Sequence, residues 1–206
     1  MQKTGVQTFD RGLEILRLLA VNKRMTASKL AQEIGIFALG SIAMRSFPIV
    51  DRAIDTCVKL KMETGLEMAV ATLFEEKMFY FTASESKKTF YDSNFPIHVS
   101  SIGLLLAHSM GKRTALRMIR ASIKNPTYPG YEANQLYKTV DESLQKHGFL
   151  YLRDFLDNKI NCAIKFQFER GEAGLAIFSK QNYLSVEESG KILRNTLEKL
   201  VDPATK

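Results

Sequence analysis

Apolar residues recur at helical spacing over the first third of the chain. Thr8 is a candidate N-cap, and Phe9, Leu13, Leu16 and Ala20 follow on one face. Asn22-Lys23-Arg24 closes that helix with cations, which suit the negative end of its dipole. Thr26 opens a second helix whose Leu30, Ala31 and Ile34 share a face, and Gly35 suits its C′ position. Residues 37–49, FALGSIAMRSFPI, predict a linker helix that ends before Pro48. Val50, Ile54, Cys57, Val58 and Met62 then form the apolar stripe of a further helix, closed by Gly65.

The period changes at residue 66. Leu66–Phe74 and Met78–Thr82 predict two strands of a hairpin joined at Glu75-Glu76-Lys77. Residues 84–96 suggest a loop with a short strand. Ser100–His108 predicts an apolar helix, Thr114–Ile123 a basic one, and 132–147 a third that stops at Gly148. Asn125-Pro126 and Pro129-Gly130 mark the turns between the last two. Phe149–Leu152, Cys162–Phe168 and Gly174–Ser179 predict strands, the last two joined at Glu169-Arg170-Gly171-Glu172. Ser185 and Glu188 form a capping box for a final helix that buries Leu193, Leu197 and Leu200. Helices followed by adjacent hairpins interleaved with helices predict an α+β domain on an antiparallel sheet, not a doubly wound parallel one.

Composition narrows the class. A chain of 206 residues, 45% hydrophobic and 25% charged, can bury a core without disulfides or metals. Cys57 and Cys162 are far apart in sequence, so a zinc ribbon or disulfide framework is not expected, and a reducing compartment is. The N-terminal apolar stretch is broken by Glu14 and Arg17, and no run of 18 apolar residues occurs. The expectation is a cytoplasmic protein without a membrane span. Net charge is +7, and the first 36 residues hold six Lys and Arg against three acids. That excess permits an anionic partner without naming one.

Catalytic signatures are sparse. No GxGxxG, Walker loop, HExxH or GxSxG occurs, and His98, His108 and His147 have no metal-ligand spacing. The expectation is a non-enzyme with no cofactor and no metal. His98 could serve as a base for Ser100, Ser101 or Cys162; more simply, it bonds the backbone at a helix start. Cys57 on a core face is better explained as a small buried hydrophobe. Ser100 and Ser101 at a helix N-terminus could hold a small carboxylate, or only cap the helix. Ser179, beside Lys180 and Gln181, is a second point where polar groups converge.

Several segments, in order, resemble the IclR family of bacterial transcription regulators. TFDRGLEILRLLAVNKRMTASKLAQEIGI resembles the first two helices of its winged helix-turn-helix. FALGSIAMRS is similar to the start of the family's linker helix, and FPIHVSSIGLLLA to its Leu-Pro-x-His-Ala stretch. KHGFLYLRDFLDNKINCAIKFQF and GLAIFSKQ are similar to the strands that carry its cysteine and its Ser-x-Ser motif. The resemblance implies a DNA-binding head over 1–36, a linker over 37–49 and an effector domain over 50–206. It further implies a GAF-like effector domain with a curved antiparallel sheet and flanking helices, and a homodimer or homotetramer. A small carboxylate or sugar-acid-like metabolite would bind at Ser101, Ile102, Gly103, Cys162, Ser179 and Gln181. Lys23, Arg24, Thr26, Ser28 and Lys29 would meet operator DNA.

The chain departs from that pattern where Ile36 runs directly into Phe37. On the order of 25 residues of recognition helix and wing have no counterpart. Base readout needs that helix, because phosphate contacts carry no sequence information. The resemblance therefore implies a shortened head with impaired specific DNA binding. The alternative is an effector-binding and oligomerisation module without DNA readout; a small Cys162/His98 enzyme is a remote third. Leu104 replaces the motif lysine, Gln181 the second serine, and Leu152 an acidic position.

Overall fold

The computed structural model describes residues 48–74, 76–83, 95–124, 131–156, 158–168, 171–180 and 184–201. Apart from Pro48 these belong to the second of two units into which the chain divides, Ile49–Lys206. The two N-terminal helices, the linker, the loop and strand expected within 84–94, and the turns at 125–130 lie outside the described residues.

Helix α1 spans Pro48–Thr64 and leads through Gly65 into the hairpin β1 (Glu67–Phe74) and β2 (Lys77–Ala83). Pro48 suits a first turn, where its missing N–H has no helical acceptor to lose. A 3-10 turn, Ile97–Val99, precedes α2 (Ser101–Ser109), α3 (Lys112–Ile123) and α4 (Ala133–His147). Strands β3 (Leu150–Phe155), β4 (Asn158–Phe168) and β5 (Gly171–Ser179) follow, and α5 (Val186–Val201) ends the described fold.

The strands form one sheet in the order β2-β1-β5-β4-β3, and every neighbouring pair is antiparallel. The α+β expectation stands, but the curved sheet and GAF-like architecture do not. The sheet is open: β2 and β3 are its two edges and pair only inward. Helices cover both faces, so burial does not require the sheet to curl onto itself.

One face carries Ala69, Ala71, Leu150, Leu152, Ala163 and Ala176, which pack with α2, α3 and α4 in a continuous core. Seven consecutive residues of α2, Ser101 to Ala107, are buried, as expected for a helix enclosed on all sides. The more amphipathic α3 and α4 bury Ala115, Met118 and Ile119, and Leu136 and Val140. Gly148 stops α4 in the left-handed conformation, φ 73°, which glycine adopts without a Cβ penalty.

The opposite face carries Met68, Val70, Ile160, Leu175 and Ile177, all fully buried. Helix α5 packs there and buries Ser189, Leu193, Thr196 and Leu200. Its capping box forms as expected: Glu188 N–H donates to Ser185 Oγ at 3.1 Å, and Ser185 N–H to Glu188 Oε2 at 2.9 Å. Lys199 Nζ reaches Glu63 Oε2 of α1 at 3.9 Å.

Several boundaries and one stripe differ from what the sequence pattern predicts. Helix α3 starts at Lys112 rather than Thr114, β3 runs on to Phe155, β4 begins four residues earlier, at Asn158, and β5 three residues earlier, at Gly171. In α1 the buried positions are Ile49, Val50, Ala53, Thr56, Cys57 and Leu60. Val58 is 53% and Met62 81% exposed, because the buried stripe follows Ala53 and Leu60 round the helix and leaves them behind.

Candidate functional site

The start of α2 is tightly built. Gly103 N–H donates to Ser100 Oγ at 3.0 Å, so Ser100 is the N-cap. The same oxygen lies 3.1 Å from the hydroxyl of Tyr80 on β2. A Cβ on Gly103 would stand 3.1 Å from the Cα and carbonyl oxygen of Ile97, so glycine lets the 3-10 turn fold onto the helix. Ser101, Ile102 and Gly103 are all buried, Ile102 against Gly174 of the sheet. Capping, one of the two roles open to the serine pair, thus belongs to Ser100; Ser101 stands one residue further into the helix.

Strand register fixes where the other expected residues face. Gly174 faces Ile102, and side chains two residues apart share a face, so Ala176 and Phe178 also face α2. Ile177 and Ser179 therefore face the other way, toward α5. Cys162 pairs with Ile177 and shares its face. Its thiol lies against the hydroxyl of Ser189 on α5. Ser101, Ile102 and Gly103 thus gather on one side of the sheet, and Cys162 and Ser179 on the other. Gln181, Lys23, Arg24, Thr26, Ser28 and Lys29 lie outside the described residues.

The same geometry separates Cys162 from His98. His98 is fully buried, its Nδ1 2.8 Å from Ser122 Oγ of α3, and its own backbone N–H donates to that oxygen at 3.2 Å. Its ring meets Tyr131 edge to face, and Tyr131 stacks on Phe155. The histidine ties the 3-10 turn to α3, which is more than the backbone bond its position suggested. Burial pushes the Cys162 thiol up to about 12, only partly offset by Ser189. A thiol held in that form is a poor nucleophile at neutral pH. Among the described residues no group of three His, Cys, Asp or Glu could hold a metal ion.

Asn161 was not singled out by sequence, although an amide between Ile160 and Cys162 is the signal that could have found it. It sits in a cross-strand row with Leu152 and Phe178, so it points to the α2 side. The residue is 6% exposed and its Oδ1 is buried without a hydrogen-bond partner. Such a group costs about 1–3 kcal/mol and calls for an explanation. Glu67, the next residue in the row beyond Phe178, has one oxygen 2.6 Å from Lys61 Nζ and the other buried without a partner.

Comparison with known proteins places this fold. No protein-family profile matches the chain, and no curated protein sequence does. Solved structures do. An IclR family transcriptional regulator from Brucella abortus matches with TM-score 0.62 and 15% identity, over 97% of this chain and 93% of that one. An IclR homologue from Microbacterium hydrocarbonoxydans, complexed with 4-hydroxybenzoate, matches with TM-score 0.58 and 15% identity, over 92% of this chain and 95% of that one. The inducer-binding domain of the Acinetobacter transcription factor PobR, a double mutant complexed with 3-hydroxybenzoic acid, matches with TM-score 0.53 and 18% identity. It covers 71% of this chain and 93% of that one. At these identities the likeness establishes the fold, which is that of IclR-type regulators.

Proposed function

We propose that the chain is a ligand-responsive transcription regulator of IclR type, whose domain over 50–206 binds a small carboxylate. The observation that carries this reading is a fold match running over nine-tenths of both chains, not over one domain. Two of the similar structures hold hydroxybenzoates, which are small carboxylates. We assign the ligand to the α2 side of the sheet, at Ser101, Ile102 and Gly103; Gly103 N–H already serves Ser100, so the Ser101 and Ile102 N–H groups at the helix start are the ones that favour an anion. Cys162 and Ser179 face α5 and would act on the ligand only through the sheet. The protein works as a homodimer or homotetramer, with the head over 1–36 and the linker over 37–49.

Lys23, Arg24, Thr26, Ser28 and Lys29 are the DNA-facing residues in this reading, and the direct run from Ile36 into Phe37 weakens base readout. Fluorescence anisotropy with DNA from the chain's own upstream region, against scrambled competitor at two salt concentrations, tests it. Preference for its own DNA supports a head that reads bases. Equal and salt-sensitive binding to both means that phosphate contacts alone remain.

The junction at Ile36–Phe37 also favours a second reading, a module that binds ligand and joins intact relatives without reading DNA itself. Coexpression with an intact relative decides it. Recovery of mixed oligomers supports the module, and recovery of homo-oligomers alone removes it.

A further inference from the structure

We propose that the exposed face of α3 is a second DNA-contacting surface, one that grips the phosphate backbone without reading bases. The inference rests on the proposed function and adds a contact outside the head over 1–36.

Residues 112–124 hold Lys112, Arg113, Arg117, Arg120 and Lys124 and no acid, in a chain whose whole net charge is +7. Arg113, Arg117, Arg120 and Lys124 follow one another at steps of four, three and four residues, so they form one stripe along the helix. All four are exposed. The buried positions Ala115, Met118 and Ile119 lie on the opposite side. The core therefore holds the helix and turns its cations to solvent. From Arg113 to Lys124 the stripe runs about 17 Å at the usual helical rise.

This pattern works against the helix that carries it. Like charges three or four residues apart repel, as Arg113 does with Arg117, Arg117 with Arg120 and Arg120 with Lys124. Lys112 and Arg113 stand in the first turn, where the helix dipole favours anions. Helices α1 and α5 do the reverse, with Asp51 or Glu187 and Glu188 in the first turn and Lys61 or Lys199 in the last. A merely solvated face gains nothing from the arrangement in α3. A bound polyanion offsets both penalties.

Two acids stand beside the stripe. Arg117 forks onto Glu76, Nη1 to Oε2 at 3.1 Å and Nη2 to Oε1 at 2.5 Å, and both side chains are exposed. An exposed pair of this kind contributes little, so a phosphate can take the place of Glu76. Glu132 feels the charge of Arg120, whose Nη2 donates to Asn134 Oδ1 at 3.3 Å. Among the described residues no carboxylate pairs with Lys112, Arg113 or Lys124. Duplex DNA carries one charge per about 1.7 Å of its axis, so several phosphates fall within the length of the stripe whatever the sequence.

The experiment uses the full chain and fluorescence anisotropy over a salt series, with a duplex from its own upstream region and a scrambled one. Arg113→Gln with Lys124→Gln should weaken binding to both duplexes by roughly ten- to a hundredfold at low salt. The slope of log affinity against log salt should fall by about 2, one for each phosphate contact removed. The charge-keeping pair Arg113→Lys with Lys124→Arg should leave that slope at its native value. If the native chain binds DNA and the glutamine pair changes neither slope nor affinity, the inference is overturned and the proposed function stands. An equal loss in the charge-keeping pair shows that these side chains act through the fold, and overturns it too. A loss confined to the chain's own DNA makes the stripe a reader of bases and overturns a sequence-independent grip. Loss of binding to anionic phospholipid vesicles, with DNA binding intact, assigns the stripe to a membrane surface instead. No DNA binding by the folded native chain overturns both the inference and the DNA-binding part of the proposed function.

Discussion

Ile102, in the first turn of α2, fills the space that a side chain on Gly174 of β5 would need. A methyl on Gly174 would meet Cγ2 of Ile102, on the stiff β-branched part of that residue rather than at a flexible tip. Gly174→Ala should therefore lift α2 from the sheet and cost about 1–3 kcal/mol, as overpacking of a filled core does. Chemical denaturation measures the loss. Ile102→Ala alone should also destabilise, by about 2–5 kcal/mol. The double variant should be more stable than the two losses added together, because each change relieves the other. Simple additivity would show that the two residues do not press on each other.

The cap at the start of α2 should show in stability. Ser100→Ala removes the acceptor of Gly103 N–H and the partner of the Tyr80 hydroxyl. A loss of about 1 kcal/mol is expected, typical of an N-cap. Tyr80→Phe should cost less, since it leaves the cap in place. A larger effect in Tyr80→Phe than in Ser100→Ala would reverse this assignment.

The Cys162 thiol predicts a limit at alkaline pH. Burial raises its pKa from 9.0 to about 12, so the folded state holds the proton where the unfolded chain gives it up. This contribution is fully present below about pH 9 and is lost as pH rises toward about 12. The slope is roughly 1.4 kcal/mol per pH unit at most. Cys162→Ala should flatten that limb of a stability–pH profile. A thiol reagent at pH 8 should label neither Cys57 nor Cys162 until the domain unfolds, because both are buried. Rapid labelling of the folded chain would contradict this.

Two exposed carboxylates predict the opposite behaviour in acid. Glu132 caps α4, accepting from the backbone N–H groups of Asn134 and Gln135, and those bonds hold its carboxyl below the usual range. Glu188 is held low by the hydroxyl and the backbone N–H of Ser185. A lowered folded pKa gives stability that is present above the ordinary carboxylate value and is lost as pH falls through the lowered one. Glu132→Gln with Glu188→Gln should lower stability at pH 8 and change it little in acid, where the native carboxyls are protonated, so the acid limb becomes shallower. An unchanged acid limb would mean that other carboxylates dominate it.

The N-terminal charge predicts the salt response of any DNA binding. Lys23→Ala with Arg24→Ala should weaken binding to own and scrambled DNA alike. The slope of log affinity against log salt should fall by about 2, one for each phosphate contact removed. A loss confined to the chain's own DNA would instead make these residues readers of sequence.

Local chemistry was written plainly in the chain. The switch from helical spacing to alternation at residue 66, the stop at Gly148 and the box between Ser185 and Glu188 each depend on residues within a few positions. The α+β class followed from their order. The buried stripe of α1 leaves Val58 and Met62 exposed, because apolarity marks what can be buried and not which side meets a neighbour. The candidate site was legible only in pieces. Ser101 at a helix start, Cys162 in a strand and Ser179 at a strand end were each sensible alone.

What brings pieces together is long-range pairing, and one chain of letters does not contain it. The residues themselves determined the elements, their caps and the places where a helix could lie close to a sheet, since backbone preference and side-chain volume are local properties. Only the tertiary structure decided that the sheet is open, in the order β2-β1-β5-β4-β3. It alone decided that Cys162 and Ser179 turn to α5 while Asn161 turns to α2. The period of a strand is two, so a shift of one residue moves a side chain to the opposite face, and register is set by pairing with neighbouring strands, as of Cys162 with Ile177 and of Ile177 with Met68.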